Sequence, residues 1–165
     1  MQTMTRSGLK FGFPDPTSFD TRPIGQITTV SVSENSALPL ALDHLTIVSR
    51  SEEAGVAFYG LLLPHLGFSR VKPGIWRNPS GLYLQFRTAA DGTHDYERYG
   101  PGLNHLGFAA PSPAFVESLH QTVTAAGYVA RLQRFGDGTV ALFLPDPDGL
   151  RVEVSYYPEG VPPVD

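Results

Sequence analysis

One short motif occurs twice in this chain, and the repetition constrains the fold more than any other feature. The first copy is Leu42-Asp43-His44-Leu45, and the second, 61 residues later, is Leu103-Asn104-His105-Leu106. An amphipathic segment follows each copy and ends at a glycine, Gly67 after the first and Gly127 after the second. These glycines lie 23 and 22 residues beyond the histidines, so the spacing is repeated along with the motif.

Two further landmarks follow in the same order in both halves. Asn78-Pro79-Ser80-Gly81 in the first half matches Asp146-Pro147-Asp148-Gly149 in the second. Four residues past the last glycine of each turn come Gln85 and Glu153, within runs that are typical of strands. Four landmarks in one order indicate an internal duplication, so each copy is expected to form one structural unit.

Composition narrows the classes of function. The 165 residues include no cysteine, which excludes disulfides, thiolate catalysis and thiolate ligands, so any metal must be held by nitrogen and oxygen. The net charge of −4, without runs of lysine or arginine, excludes the electrostatic footprint of a nucleic-acid-binding protein. No apolar run approaches the ~18 residues that a membrane-spanning helix needs, and the start lacks a signal-peptide pattern. We therefore expect a cytoplasmic protein with neither nucleic-acid nor membrane partners.

Residues 1–38 differ from the rest of the chain. Pro14, Pro16 and Pro23 oppose helix, and the polar remainder offers little to bury. This segment is predicted to be an N-terminal arm, packed or poorly ordered, with a candidate strand at Ile27–Val32. Residues 39–160 are predicted to form a single domain made of module one (39–88) and module two (102–157), joined by a polar connector (89–101).

Each module is predicted to fold as β-α-β-β-β. In module one, alternating side chains predict a strand over Pro39–Ser49. Ser51 then begins a helix that Gly67 ends, and Pro64 is expected to kink or shorten its last turn. Three short strands follow, and module two repeats the plan with a helix over Ser112–Ala126. The predicted fold class is α+β, with the two tandem modules forming a curved mixed sheet around a central cleft.

Alternation along the strands places the polar residues of the repeat on one face. His44, Gln85, His105 and Glu153 fall opposite the apolar residues that pack against the helices. If the modules face one another, these four side chains converge in one cleft. Imidazole and carboxylate are ordinary ligands of divalent ions, and a glutamine oxygen is a weaker neutral one. The same pattern also fits a metal-free protein in which the four residues hydrogen-bond to one another.

The order of these residues resembles the vicinal oxygen chelate superfamily, which includes glyoxalase I, extradiol dioxygenases and bleomycin-resistance proteins. The likeness rests on His, Gln, His and Glu on the first and last strands of paired modules, and on Asp146-Pro147-Asp148-Gly149 before the final strand. It covers about Ala41 to Tyr157. The resemblance implies one divalent metal ion (Zn, Ni, Fe, Mn or Co) with four ligands: His44, Gln85, His105 and Glu153.

The resemblance also bears on the reaction. Glyoxalase-like members carry two acids that serve as ligand and base, and Gln85 takes one of those positions here. The catalytic role of proton shuttle is therefore expected of Glu153 alone. Dioxygenase-like members need two histidines and one glutamate, which His44, His105 and Glu153 supply.

The leading hypothesis is a metal-dependent enzyme, a lyase, isomerase or ring-cleaving dioxygenase, that acts on a small molecule with two neighbouring oxygens. The alternative is a non-catalytic small-molecule binding or antibiotic-sequestering protein of the bleomycin-resistance type. A homodimer is compatible with both, since the cleft can be completed within one chain or between two. Five strand residues are candidates for the substrate pocket, although surface positions would show the same pattern: Trp76, Tyr83, Arg87, Arg151 and Tyr157.

Overall fold

The computed structural model describes residues 40–163. The predicted arm at residues 1–38 and its candidate strand at Ile27–Val32 lie outside the described residues. Neither helix of the described part has the length and apolar character required to cross a membrane. This part of the chain contains two helices and eight strands, in the order β-α-β-β-β repeated twice.

Module one forms a four-stranded mixed sheet with one helix. Its elements are β1 (His44–Ser49), α1 (Glu52–His65), β2 (Ser69–Lys72), β3 (Ile75–Arg77) and β4 (Tyr83–Thr88). The strand order is β1-β4-β3-β2, with β1 parallel to β4 and the other pairs antiparallel. The first and last strands of the module are therefore neighbours, and Thr46 lies opposite Gln85.

Module two repeats this topology. Its elements are β5 (His105–Ala109), α2 (Pro113–Ala125), β6 (Arg131–Arg134), β7 (Val140–Pro145) and β8 (Arg151–Tyr156). The order is β5-β8-β7-β6, again with the first and last strands parallel, and Gly107 lies opposite Glu153. The prediction of an α+β fold with two β-α-β-β-β modules is confirmed, and each module has its own four-stranded sheet.

The ends of both helices follow from residues that the sequence singles out. The hydroxyls of Ser51 and Ser112 each accept a hydrogen bond from a backbone N–H three residues on, at 3.2 Å, and so cap α1 and α2. Beyond the helices, Gly67 and Gly127 have φ angles of 80° and 89°, which only glycine adopts without strain. Helix α1 ends one residue beyond Pro64, as expected for a proline in the last turn.

The two modules share one hydrophobic core. Buried side chains of α1 and α2 lie in the same cluster as the inward-facing residues of both sheets. Phe58 of α1 packs edge to face against Tyr128 of module two, with ring centroids 5.1 Å apart. The core-facing residues of β4 and β8 are completely covered: Leu84, Val152 and Val154. The opposite faces of these strands are thereby left for polar residues.

The turn before β8 also links the modules. Asp146 is buried, and its Oδ1 accepts two backbone N–H groups of its own turn at 2.9 Å each. Its Oδ2 accepts the hydroxyl of Tyr59 from α1, also at 2.9 Å. The carboxylate of Asp148 accepts the hydroxyl of Ser49 at the end of β1. The Asp-Pro-Asp-Gly sequence therefore shapes a turn and fastens it to module one.

Candidate metal site

The outward face of the module-two sheet carries the two predicted ligands of that module. His105 lies on β5 and Glu153 on the neighbouring β8. His105 Nε2 is 3.7 Å from Glu153 Oε2. The fold therefore brings these two predicted ligands together.

Two hydroxyl groups hold the carboxylate of Glu153. Ser155 Oγ donates to Oε1 at 2.8 Å, and the Tyr157 hydroxyl donates to the same oxygen at 3.3 Å. Burial raises the pKa of Tyr157, and the adjacent carboxylate of Glu153 adds to the increase while a hydrogen bond with Ser155 opposes it. The phenol therefore remains protonated and donates. Only 16% of the Glu153 side chain is exposed, and its Oε2 is left facing His105.

Asn104 determines which nitrogen of His105 carries the proton. Asn104 Nδ2 donates to the backbone carbonyl of Arg98 at 2.7 Å, which turns the amide oxygen towards the imidazole. That oxygen lies 2.9 Å from His105 Nδ1. Because an amide oxygen only accepts, Nδ1 carries a hydrogen, and in the neutral imidazole Nε2 keeps its lone pair. This is the form of imidazole that binds a metal through Nε2.

His44 in module one is oriented in the same way. Its Nδ1 lies 2.7 Å from Asp43 Oδ2, so Nδ1 donates, and in the neutral imidazole Nε2 is the nitrogen with a free lone pair. The side chain is 63% exposed on the outward face of β1, which also carries Thr46 and Val48. His44 is therefore prepared as a ligand but faces open space.

Gln85 lies between two polar neighbours on the module-one face. Its amide oxygen position is 3.3 Å from Thr46 Oγ1. With the amide turned over, the oxygen accepts from the guanidinium of Arg87, from a terminal nitrogen at 2.8 Å and from Nε at 3.1 Å. The second orientation is favoured because it places the oxygen against a cation. In that orientation Gln85 is engaged by Arg87.

The predicted ligands form two separate pairs within one chain. Among residues 40–163, no three His, Asp or Glu side chains lie close enough together to hold one ion. His44 and Gln85 share the face of the module-one sheet, whereas His105 and Glu153 share the face of the module-two sheet. The convergence of all four in one cleft is therefore not found inside the described chain.

The predicted pocket residues are distributed over these faces, with one exception. Tyr83 and Arg87 lie on the outward face of module one, and Arg151 and Tyr157 lie on that of module two. Trp76 instead is 6% exposed and belongs to the hydrophobic core, since it pairs with the core residue Leu84 across the sheet. The prediction that Trp76 lines a substrate pocket is therefore wrong.

Of two pockets near the outward faces, one opens at the candidate ligands. A pocket of about 310 Å³ opens at His105 and Glu153 and is also lined by Phe135, Asp137 and Tyr157. A larger one, of about 510 Å³, lies beside β1 and the connector and holds none of the four predicted ligands. The smaller pocket is thus the one next to the oriented histidine and carboxylate.

The orienting roles of Asp43 and Asn104 were missed by reasoning from the sequence. The signal was present, because both copies of the repeated motif carry an acceptor immediately before the histidine. The hydrogen bond from Ser155 to Glu153 was missed as well, although Ser155 lies two residues after Glu153 and so on the same face of β8.

No family model matches the sequence. The uncharacterized protein YqjT of Bacillus subtilis (strain 168) is 32% identical over 123 residues, which cover 68% of this chain and 96% of YqjT. A candidate glyoxalase from Bacillus halodurans superposes with a TM-score of 0.61 at 28% identity, covering 70% of this chain and 95% of its own.

A second solved structure shows the same fold. The glyoxylase/bleomycin resistance protein/dioxygenase domain from Frankia sp. EAN1pec superposes with a TM-score of 0.63 at 21% identity, covering 75% of this chain and 96% of its own. These similarities extend over nearly the whole length of each related protein.

Proposed function

Because the chain belongs to the vicinal oxygen chelate superfamily, we propose that it is a metal-dependent enzyme of the glyoxalase or dioxygenase type. Its substrate is a small molecule with two neighbouring oxygens. The observation that carries this proposal is one pair of atoms, His105 Nε2 and Glu153 Oε2, which face each other. The other ring nitrogen and the other carboxylate oxygen are engaged by Asn104 and Ser155.

The donor set fits a divalent ion. A separation of 3.7 Å is too long for a hydrogen bond, which spans ~2.7–3.2 Å. Two ligand atoms that each lie ~2.0–2.2 Å from a shared cation are themselves ~3–4 Å apart. Imidazole and carboxylate suit Zn, Ni, Fe, Mn or Co, so the chemistry of the pair narrows the ion only to this group.

A bound divalent ion would act as a Lewis acid on the substrate oxygens. The protein's own residues supply the rest of the chemistry. Glu153 is the candidate proton shuttle, because Oε2 faces the pocket while Ser155 and Tyr157 hold Oε1 in place. Neutral histidines and a single carboxylate leave about one positive charge at the site, which favours a substrate oxyanion.

We further propose that a second copy of the chain completes the site. His44 lies apart from His105 and Glu153 within residues 40–163, yet all three are oriented as ligands. Contact between the module-one face of one copy and the module-two face of another would bring His44 and Gln85 to the pair. Each of two identical copies then contributes one half to each of two sites.

The metal content of the full chain, purified without added metal or chelator, tests this proposal. Elemental analysis is expected to find about one ion per chain, since metal ligands of this kind bind tightly enough to survive purification. The His105→Ala variant should lose the ion. The matched control is His65→Ala, which removes an exposed histidine at the end of α1.

The two variants separate specific loss from general damage. If His65→Ala retains the metal ion and His105→Ala loses it, the proposed site is supported. A parent chain that contains no ion and takes none up on titration would overturn the catalytic proposal in favour of a non-catalytic binding protein. Substrate turnover by the loaded parent, with loss in Glu153→Gln, would then establish the proton-transfer role.

A further inference from the structure

Three arginines meet at a second pocket on the module-two face. A depression of about 230 Å³ is lined by Arg98 of the connector, Arg131 of β6 and Arg151 of β8, with Phe143 of β7 among its walls. The guanidinium carbon of Arg151 lies 4.6 Å from the centre of the Phe143 ring, which holds the side chain across the sheet. We call Arg98, Arg131 and Arg151 the arginine cluster.

The charges of the cluster are not neutralised by their surroundings. Among residues 40–163, no carboxylate lies within 4.0 Å of any of the three guanidinium groups. Three cations held together without an anion raise the free energy of the folded state.

One hydrogen-bond donor of the cluster is also unused. Arg98 Nε is buried and has no partner among the described residues. A buried donor without an acceptor is unfavourable, so a ligand that supplies an acceptor would be stabilised there. The backbone of Arg98 is itself held by Asn104, the residue that orients His105.

We infer that the arginine cluster binds an oxyanion, and that the small molecule bound at His105 and Glu153 therefore carries a carboxylate or phosphate group besides its neighbouring oxygens. The second half of this inference rests on the proposed function, whereas the first half does not. Guanidinium groups bind carboxylate and phosphate with paired charge-assisted hydrogen bonds, which lysine does not reproduce.

The distance between the two subsites sets the size of that molecule. Arg151 and Glu153 lie on the same face of β8 and are two residues apart, so their Cα atoms are about 6.6 Å apart along the strand. Phe143 lies opposite Glu153 in the sheet and lines the pocket of the arginine cluster. A molecule with a short carbon chain between its chelating oxygens and its anionic group spans this interval.

Anion binding by the chelator-treated full chain tests the inference. Inorganic phosphate and malonate are titrated separately by isothermal calorimetry, with sodium chloride at matched ionic strength as the blank. At least one of the two anions is expected to bind saturably. Arg131→Gln and Arg151→Gln should each weaken binding about tenfold, because each removes a charge-assisted hydrogen-bond partner. Arg70→Gln, at an exposed position on β2 of module one, is the matched control and should change binding by less than about twofold.

The titrations distinguish the class of anion and test whether the arginine cluster binds one. Tighter binding of phosphate assigns a phosphate-bearing substrate, and tighter binding of malonate assigns a carboxylate-bearing one. Absence of saturable binding of both anions overturns the inference, as does equal loss in Arg70→Gln. Arg131 is exposed, so its replacement should leave the fold intact. Circular dichroism tests whether Arg151→Gln is folded.

Metal content measured before chelation keeps the two proposals separate. A parent without metal that binds phosphate overturns the metal-dependent function and leaves the oxyanion site standing. A parent with metal that binds neither anion overturns the oxyanion site alone.

Discussion

Each histidine of the repeated motif receives its hydrogen-bond partner from the residue immediately before it. Asp43 serves His44, and Asn104 serves His105. On a strand, consecutive side chains point to opposite faces, and in both copies this contact between neighbours occurs where the histidine is the first residue of its strand. This hydrogen bond keeps a proton on Nδ1 and leaves Nε2 available to bind a metal ion.

Replacement of Asn104 tests this role. Asn104→Ala removes the acceptor of His105 Nδ1, so the affinity for metal should fall about 10- to 100-fold. Asn104→Asp keeps an acceptor, as in the first copy of the motif, and should retain most of the affinity. Competition with a chromophoric chelator measures both. Equal affinity in Asn104→Ala and the parent would contradict the role.

The faces of the individual residues could be predicted from the sequence, but their hydrogen bonds could not. Period-two alternation placed His105 and Glu153 on one side of the sheet, and the structure joins them at 3.7 Å. The contact of Gln85 with Arg87 depends on rotamers of two residues on the same strand face, which alternation does not specify. Whether Gln85 contributes as a ligand therefore stays a prediction.

At the scale of the elements, the buried hydrogen bond between Tyr59 and Asp146 joins α1 to the turn before β8. Burial and the nearby carboxylate of Asp146 raise the pKa of Tyr59, so the phenol donates at any physiological pH. Tyr59→Phe leaves Asp146 Oδ2 without its donor and should lower the free energy of unfolding by ~1–3 kcal/mol. Urea denaturation measures this loss. Tyr99→Phe, at an exposed connector position, should change stability by less than ~0.5 kcal/mol, and similar losses in both variants would contradict the account.

Asp146 also makes a prediction for the dependence of stability on pH. Burial raises the pKa of its carboxyl above the ordinary 3.8, against hydrogen bonds from Tyr59 and the turn that lower it. The folded state therefore keeps the proton to higher pH than the unfolded chain. Stability contributed by this group falls as the pH rises from 3.8 through the folded pKa, and is constant above it.

Asp146→Asn has no carboxyl to titrate but retains an oxygen that accepts the two backbone N–H groups. The free energy of unfolding of Asp146→Asn minus that of the parent should therefore become more positive as the pH rises above 3.8 through the folded pKa of Asp146. Urea denaturation at a series of pH values measures the difference. A difference that is constant or declines over this range would show that Asp146 is not destabilised by its ionisation.

Helices and turns were more predictable than the shortest strand. Ser51, Ser112, Gly67 and Gly127 mark the helix ends in the sequence because capping and left-handed backbone depend on local residue type. Strand β3 has three residues, too few for alternation to show which face is buried, and Trp76 was accordingly assigned to a pocket. Its pairing with Leu84 shows that Trp76 faces the core. This pairing depends on the arrangement of strands in the sheet, which the local sequence does not specify.

At the scale of the whole molecule, both open faces combine oriented polar groups with uncovered apolar ones. Val48 is 54% exposed on the same face of β1 as His44, and Leu42 and Leu103 before β1 and β5 are exposed at 62% and 49%. Apolar side chains next to candidate ligands are expected at surfaces that another protein surface covers. The duplication predicted the two halves of the site, but a repeat in one chain does not specify which two modules meet.

A mixture of His44→Ala and His105→Ala variants tests the shared metal site most directly. Each variant alone lacks a ligand in every site and should bind little metal. After partial unfolding and refolding together, half of the dimers would contain both variants, and each of these has one intact site. Metal bound per chain should therefore return to about a quarter of the parent value. A mixture that stays at the level of the separate variants, beside a parent that binds about one ion per chain, would contradict a site shared between copies.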